Sequence, residues 1–293
     1  MKKKEKILIN NTIMLYLMKF STMIFPLITL PYLTRTLGLE IYSAVTFINS
    51  FIAYFVLVID FGFDLSATKD ISKNRENIQE VNIILTSVII FKLFLALMSL
   101  IAVILIGLFV ENFKNHFVFL ILSFTSTFFA ILIPTFYFRG IEKMNVITFR
   151  YLITKTVFTV LMFLLVKKPE DYLFIPLLNL IGDIISIVIT WYYIYKNTSN
   201  RIVKVTKKNI LKNAKESSLY FFSRIASSVY GSSNIFVLGF YYSSTVGLFA
   251  VAYAIVQTIR GLYGPLADSL YPYMIRNKNF LLIKKLLIIF MPL

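Results

Sequence analysis

The sequence predicts an all-α polytopic membrane protein, and three observations carry that prediction. Mean hydropathy is +0.78 and 58% of the residues are hydrophobic, beyond the range of an ordinary soluble domain. Apolar runs of about 20 residues recur along the chain, the length that crosses a hydrocarbon core at 1.5 Å rise per residue. Lysine and arginine gather in alternate loops between those runs. The runs are continuous rather than alternating, and longer than the roughly 10 residues of a barrel strand. Helices are therefore the elements expected, since a spanning segment must satisfy its own backbone hydrogen bonds. The net charge of +16 would point to nucleic acid in a soluble chain. Here the cations sit mostly in loops, so no nucleic-acid partner is expected. Cysteine is absent, which removes disulfides and thiolate sites.

Residues 1–6 form a basic head, KKKEK after the initiator. A secretory leader starts in the same way, but the run that follows is long, holds Lys19 and two prolines, and has no A-x-A cleavage site. Residues 7–33 are thus read as the first spanning helix. Leu37-Gly38 breaks the chain, glycine being free of the helical dihedrals. Residues 41–63 make the second helix, with Asp60 as its one formal charge. The third covers 81–110 and contains Lys92. The fourth covers 117–138, with Pro134 near its end. The fifth, 145–166, contains Arg150 and Lys155, and the sixth, 172–195, contains Pro176 and Asp183. Residues 196–218 are a long polar stretch expected to lie in part along the membrane surface. The seventh helix is expected over 219–242, with Arg224. The eighth is expected over 246–273, with Arg260, Gly264-Pro265 and Asp268.

A further apolar run begins near Leu286 and reaches Leu293. Eight residues make about 12 Å of helix against a core of about 30 Å, so the start of a ninth helix is expected there, and a C-terminally truncated transporter with it. The organisation that follows is a six-helix lobe over 1–195, a basic cytoplasmic linker over 196–218, and an incomplete second lobe over 219–293. Loops on one side carry 20 lysines and arginines and loops on the other carry 4. That bias places the N-terminus in the cytoplasm.

Four strings carry a family resemblance: PYLTRTLG, IYSAVTF, DFGFDLSATKDISKNREN and, further on, GIEKM. Together they resemble the Wzx-type O-antigen flippases of the polysaccharide biosynthesis protein family, within the superfamily that also holds MATE drug exporters and the lipid II flippase. Asp60-Phe61-Gly62 alone would be no signal, because a kinase needs a glycine-rich loop and a catalytic-loop motif as well. The resemblance implies a MATE-like fold of two six-helix lobes around a central cavity. It implies movement of an undecaprenyl-diphosphate-linked oligosaccharide between the leaflets of the bacterial inner membrane, for O-antigen or capsule synthesis. Membrane lipids, a polysaccharide polymerase and a chain-length protein are the partners it implies. A coupling ion, H+ or Na+, is left open, and no other cofactor is expected.

Candidate site residues come from charges inside the spans. A charge at bilayer depth costs at least about 2.5–3.5 kcal/mol, so it tends to face a cavity or a partner. Six cations lie there (Lys19, Lys92, Arg150, Lys155, Arg224 and Arg260) against three acids, Asp60, Asp183 and Asp268. Lys19 and Arg224 have no acid within four residues. An internal similarity links them. Tyr42 to Phe47 looks like Phe249 to Tyr253, and Lys19 and Arg224 precede these segments by 23 and 25 positions. Lys19, Arg224, Arg260, Lys155 and Asp183 are therefore the candidates for a substrate cavity, with Lys19 and Arg224 expected to share one water-filled space. Cations suit a diphosphate because charge-assisted bonds strengthen where the dielectric is low.

A transporter is favoured over an enzyme. A MATE-like drug antiporter exporting cations would want unpaired acids rather than an excess of cations. A polysaccharide polymerase or acyltransferase would want a large loop opposite the basic side, where the loops are short. No phosphate-binding G-x-x-x-x-G-K-[ST] loop is present, so direct use of ATP is not expected. His116 stands alone in a loop, without a second residue to suggest a metal site.

Overall fold

The computed structural model of the chain describes residues 3–241 and 245–258, and every regular element among them is helical. The helix α1 is assigned over Lys3–Asp60 but is broken at Gly38, whose φ of 71° and ψ of 168° leave the helical region. The chain turns back at that residue. Before it, Thr148 donates to the Met14 carbonyl and Tyr32 donates to the Val166 carbonyl at 2.6 Å, so the first half of α1 runs alongside α7 (Met144–Leu165) in the same direction. After it, Phe47 stacks on Phe113 and Asp60 reaches Lys92, so the second half returns antiparallel to α3 (Ile78–Phe109). One glycine thus does the work expected of a short loop.

The remaining elements follow in order. A tight turn at Phe61 and Gly62 leads into α2 (Phe63–Lys73). Helix α3 starts at Asn77, whose side chain accepts from the Glu80 amide and satisfies one of the open N–H groups of the first turn. Then come α4 (Glu111–Lys114), α5 (Phe117–Ala130) and α6 (Thr135–Gly140). The fourth predicted helix is therefore split, with residues 131–134 outside both parts. Pro134 has no N–H to give the preceding turn and disfavours helix at the residue before it. After α7, a 3-10 turn (Pro169–Leu173) enters α8 (Phe174–Asn197). The helix α9 runs Lys207–Tyr241 without a break, so the second half of the predicted surface stretch is continuous with the seventh helix. The apolar helix α10 covers Val246–Thr258.

Five of these stretches are long and apolar enough to span a membrane: 10–73, taken across the Gly38 break, then Ile78–Phe109, Phe117–Gly140, Met144–Leu165 and Pro169–Asn197. The chain is an all-α multi-pass membrane protein. Its outer surface agrees. Phe94, Met98, Ile101 and Leu105 of α3 are 50–55% exposed along one helix face, the reverse of a soluble fold.

Alternate loops meet at each end. At one end, Arg75 pairs with Glu142 at 3.1 Å, Tyr137 donates to Asn200, and Asn200 donates to Asn82. These contacts join the loops after the second, fourth and sixth predicted helices, which carry 12 lysines and arginines against 4 in the loops of the opposite side; we refer to this as the basic end. At the far end, His116 lies 3.3 Å from the Tyr172 hydroxyl and Asn112 donates to the Phe240 carbonyl. The apolar core has two centres to match: Phe47, Phe51, Phe113, Phe119 and Phe124 toward the far end, and Phe63, Ile71, Leu85, Phe136 and Phe138 toward the basic end.

Candidate functional site

The turn Asp60-Phe61-Gly62, between α1 and α2, is where that part of the chain meets α9. Phe61 and Gly62 both have positive φ, 47° and 78°, and this sharp turn aims three groups at neighbouring helices. Asp60 spreads its two oxygens between two cations: Lys92 of α3 reaches Oδ1 at 2.8 Å and Arg224 of α9 reaches Oδ2 at 2.5 Å. The Phe61 ring stacks on Phe221 of α9 at 4.7 Å. Gly62 allows the backbones to touch, since a Cβ there would lie 2.7 Å from the Phe221 nitrogen. Just beyond, the buried hydroxyls of Ser66 and Ser217 hydrogen-bond to each other. Farther up the same face, Tyr54 donates to Ser233 at 2.9 Å.

Beside this seam lies a cleft of about 480 Å³ lined by Asp60, Asp64, Lys92, Arg139, Asn179 and Asp183. Asp64 accepts from Arg139 at 2.5 Å, which holds α2 against α6. Asp183 of α8 accepts from Ser126 of α5 at 2.5 Å. A second cavity of about 170 Å³ adjoins through Asn179 and Asp183, and is lined also by Arg150, Lys155 and Thr154. Arg150 donates to Ser186 at 3.1 Å, and the Lys155 ammonium lies 5.2 Å from the Phe158 ring centre. Two cations and one carboxylate thus share a polar space between α7 and α8, inside spanning segments where each charge is costly. Serine, threonine and asparagine side chains complete its polar lining.

Lys155 and Asp183 come together as lining of one cavity, with Arg150 beside them. Lys19 is exposed and lines neither cleft. Arg224 is half-buried, and its lack of acids holds only along its own helix: Asp60 reaches it from across the seam. The partner comes from a facing helix, which a search within four residues of Arg224 does not reach. Arg260 and Asp268, and the run from Leu286, lie outside the described residues. Just before the second of the two similar segments, the Gly247 amide donates to the Ser43 hydroxyl of the first at 2.9 Å.

Sequence reasoning missed the seam and a second site. Asp60 was visible as a charge, but its partners stand 32 and 164 positions away, and no local pattern reports such distances. At the far end a cavity of about 580 Å³ is lined by Glu40, Glu111, Asn112, Asn115 and His116, with Phe47 at its base. Burial pushes the His116 imidazole below its ordinary range, and the nearby Glu40 carboxylate opposes that shift in part.

Comparison with known proteins adds the following. A family described as "Polysaccharide biosynthesis protein" matches residues 8–278. A protein of Shigella dysenteriae named "Putative O-antigen transporter" is 30% identical over 271 residues, covering 92% of this chain and 68% of that protein. A protein of Escherichia coli K12 with the same name is 30% identical over 289 residues, covering 94% of this chain and 68% of that protein. No solved structure matches.

Proposed function

This chain belongs to the polysaccharide biosynthesis protein family, and from that premise we propose that it is a flippase-type transporter of lipid-linked oligosaccharide. The substrate class is an undecaprenyl-diphosphate-linked repeat unit, moved from the cytoplasmic to the outer leaflet of a bacterial inner membrane. The observation that carries this reading is the 30% identity to two proteins named as O-antigen transporters over 92% and 94% of the chain. The geometry supports it physically. A polar head group crossing a bilayer needs a path lined by hydrogen-bonding and charged groups, while its lipid tail stays among acyl chains. The first lobe supplies such groups at membrane depth in Asp183, Asn179, Arg150 and Lys155. The seam supplies Lys92 and Arg224, cations of the kind a diphosphate engages through charge-assisted bonds. Lys19, exposed on the first half of α1, is a further candidate for the same path. Rocking of the two halves against each other gives alternating access.

The basic end is assigned to the cytoplasm, since its loops hold 12 lysines and arginines against 4 on the opposite side. A cation exporter fits less well, because Asp60, Asp64 and Asp183 are each engaged by donors rather than standing open. The test is genetic. Removing the gene from its own bacterium should deplete surface polysaccharide, and the wild-type gene should restore it. The Arg224→Ala gene should restore several-fold less at equal protein level. Restoration by Arg224→Ala equal to wild type would remove Arg224 from the path, and unchanged polysaccharide without the gene would remove the transporter reading.

A further inference from the structure

The most unusual feature of the seam is the division of one carboxylate between two cations that belong to different halves of the chain. Lys92 and Asp60 both lie in the first lobe, on α3 and at the end of α1. Arg224 lies on α9 and reaches across. Each cation holds a different oxygen of Asp60, an arrangement a phosphate group would reproduce. The side chains of Lys92 and Asp60 are 13% and 19% exposed and that of Arg224 is 39% exposed, so the Arg224 arm of the trio is the one open to solvent and to an incoming anion. Asp60 and Lys92 also line the cleft of about 480 Å³, which gives a ligand room beside them.

We propose that Asp60 is an internal stand-in for the substrate's phosphate, and that an incoming lipid-borne diphosphate takes Arg224 away from Asp60 and so unlatches the seam. The proposal rests on the transporter reading above and names its trigger. Lys92 makes the exchange feasible. When Arg224 leaves, Asp60 keeps one cation and is not left as an unpaired buried charge. The exchange is close to balanced, one anion replacing another on the same guanidinium, so it proceeds in both directions as a transport cycle requires. The contacts that flank the trio carry no charge: Phe61 on Phe221, Gly62 against the α9 backbone, and Ser66 with Ser217; farther along α2, Asp70 meets Glu216 and Lys69 lies 6.0 Å from the Tyr220 ring centre. The flanking contacts restore the closed state once the anion has gone. The ligand chemistry is a diphosphate, and the source is taken to be a lipid.

The chain has no cysteine, which makes the test clean. Ser66→Cys with Ser217→Cys places the only two thiols across the seam. The rate of disulfide formation under a mild oxidant, in membrane vesicles with the basic face accessible, then reports how often the seam is closed. Inorganic pyrophosphate should slow cross-linking by about fivefold relative to sulfate at matched ionic strength, the scale of one exchanged ion pair. A short prenyl diphosphate added to the vesicles should act at lower total concentration than pyrophosphate. Adding Asp60→Asn should slow cross-linking without any anion and blunt the pyrophosphate response. Adding Asp60→Glu should retain both the rate and the response, which guards against a merely misfolded variant.

Pyrophosphate acting no differently from sulfate overturns the proposal, as does an Asp60→Asn chain that cross-links like its parent. A response to pyrophosphate with none to the prenyl diphosphate assigns the site to free phosphates and overturns the lipid-borne trigger. The assay reads seam closure rather than export. A silent seam in a chain that restores polysaccharide sinks this proposal alone, whereas a responsive seam in a chain that plays no part in polysaccharide export sinks the transporter reading.

Discussion

Asp60 shows how much a single side chain can organise in a membrane protein. Its carboxylate ties α1 to α3 through Lys92 and to α9 through Arg224. In a medium of low dielectric such contacts count for more than on a soluble surface, and a broken one costs more. His116 is the other residue whose setting leads to a prediction. It is the sole histidine of the chain and lies among Glu40, Glu111 and Tyr172. Burial lowers its proton affinity in the fold, so the neutral imidazole is the folded form. The sign follows: the unfolded chain binds the extra proton more readily, so stability from this group is present above about pH 6.5 and declines as pH falls below it. Unfolding temperature in detergent should therefore drop between pH 7.5 and 5.5 more steeply for wild type than for His116→Gln. Parallel pH profiles for the two proteins would refute this account of His116.

At the scale of elements, two glycines with positive φ play different parts. Gly38 turns the chain between two spanning segments, and a Cβ there meets nothing within 4 Å. Gly62 turns it as well, but a Cβ would press on the Phe221 nitrogen, Tyr220 and the Ser217 carbonyl at 2.7–2.9 Å. Gly38→Ala should then cost backbone strain alone, about 1–3 kcal/mol, because φ 71° with ψ 168° is a region all but confined to glycine. Gly62→Ala should cost about 1–2 kcal/mol for its left-handed backbone and about 1–3 kcal/mol more for a displacement of α9. Thermal unfolding of the two purified variants checks both; a Gly62→Ala loss no larger than about 1 kcal/mol would mean that α9 does not sit against this turn. Of the two, only the Gly38 break was legible in the sequence, as glycine between two apolar runs. The split of the fourth helix at Pro134 was half legible: the proline was seen, yet a proline near a helix end is compatible with either a kink or a stop. The continuity of α9 from Lys207 was not legible, because Lys207 to Ser218 is polar and its burial of Ala214 and Ser217 depends on α2, far away in sequence.

At the scale of the whole molecule, the alternation of loops between two ends was read from charge alone and is matched by the contacts that gather those loops. Composition and run length suffice for this level, since the bilayer imposes length and polarity on every span. The site is less legible, since it is made by facing helices: Lys155 and Asp183 share a cavity, but Arg224 meets Asp60 rather than standing open beside Lys19. The orientation itself makes a prediction. In a chain without cysteine, Asn115→Cys at the far end should react with a membrane-impermeant maleimide in intact spheroplasts, and Ser199→Cys at the basic end should react only after permeabilisation. The reverse pattern would invert the assigned topology and with it the direction of transport.

The central claim is that this chain carries a lipid-linked oligosaccharide across the membrane, and the measurement nearest to it is the leaflet in which that lipid resides. Spheroplasts accumulate the lipid-linked repeat when its polymerisation is blocked, and a membrane-impermeant sugar oxidant reads the share exposed outside. With the wild-type chain most of the pool should be oxidised. Without the chain the pool should be protected until the membrane is opened, and Arg224→Ala should leave it largely protected at equal protein level. An equally exposed pool with and without the chain would contradict the account.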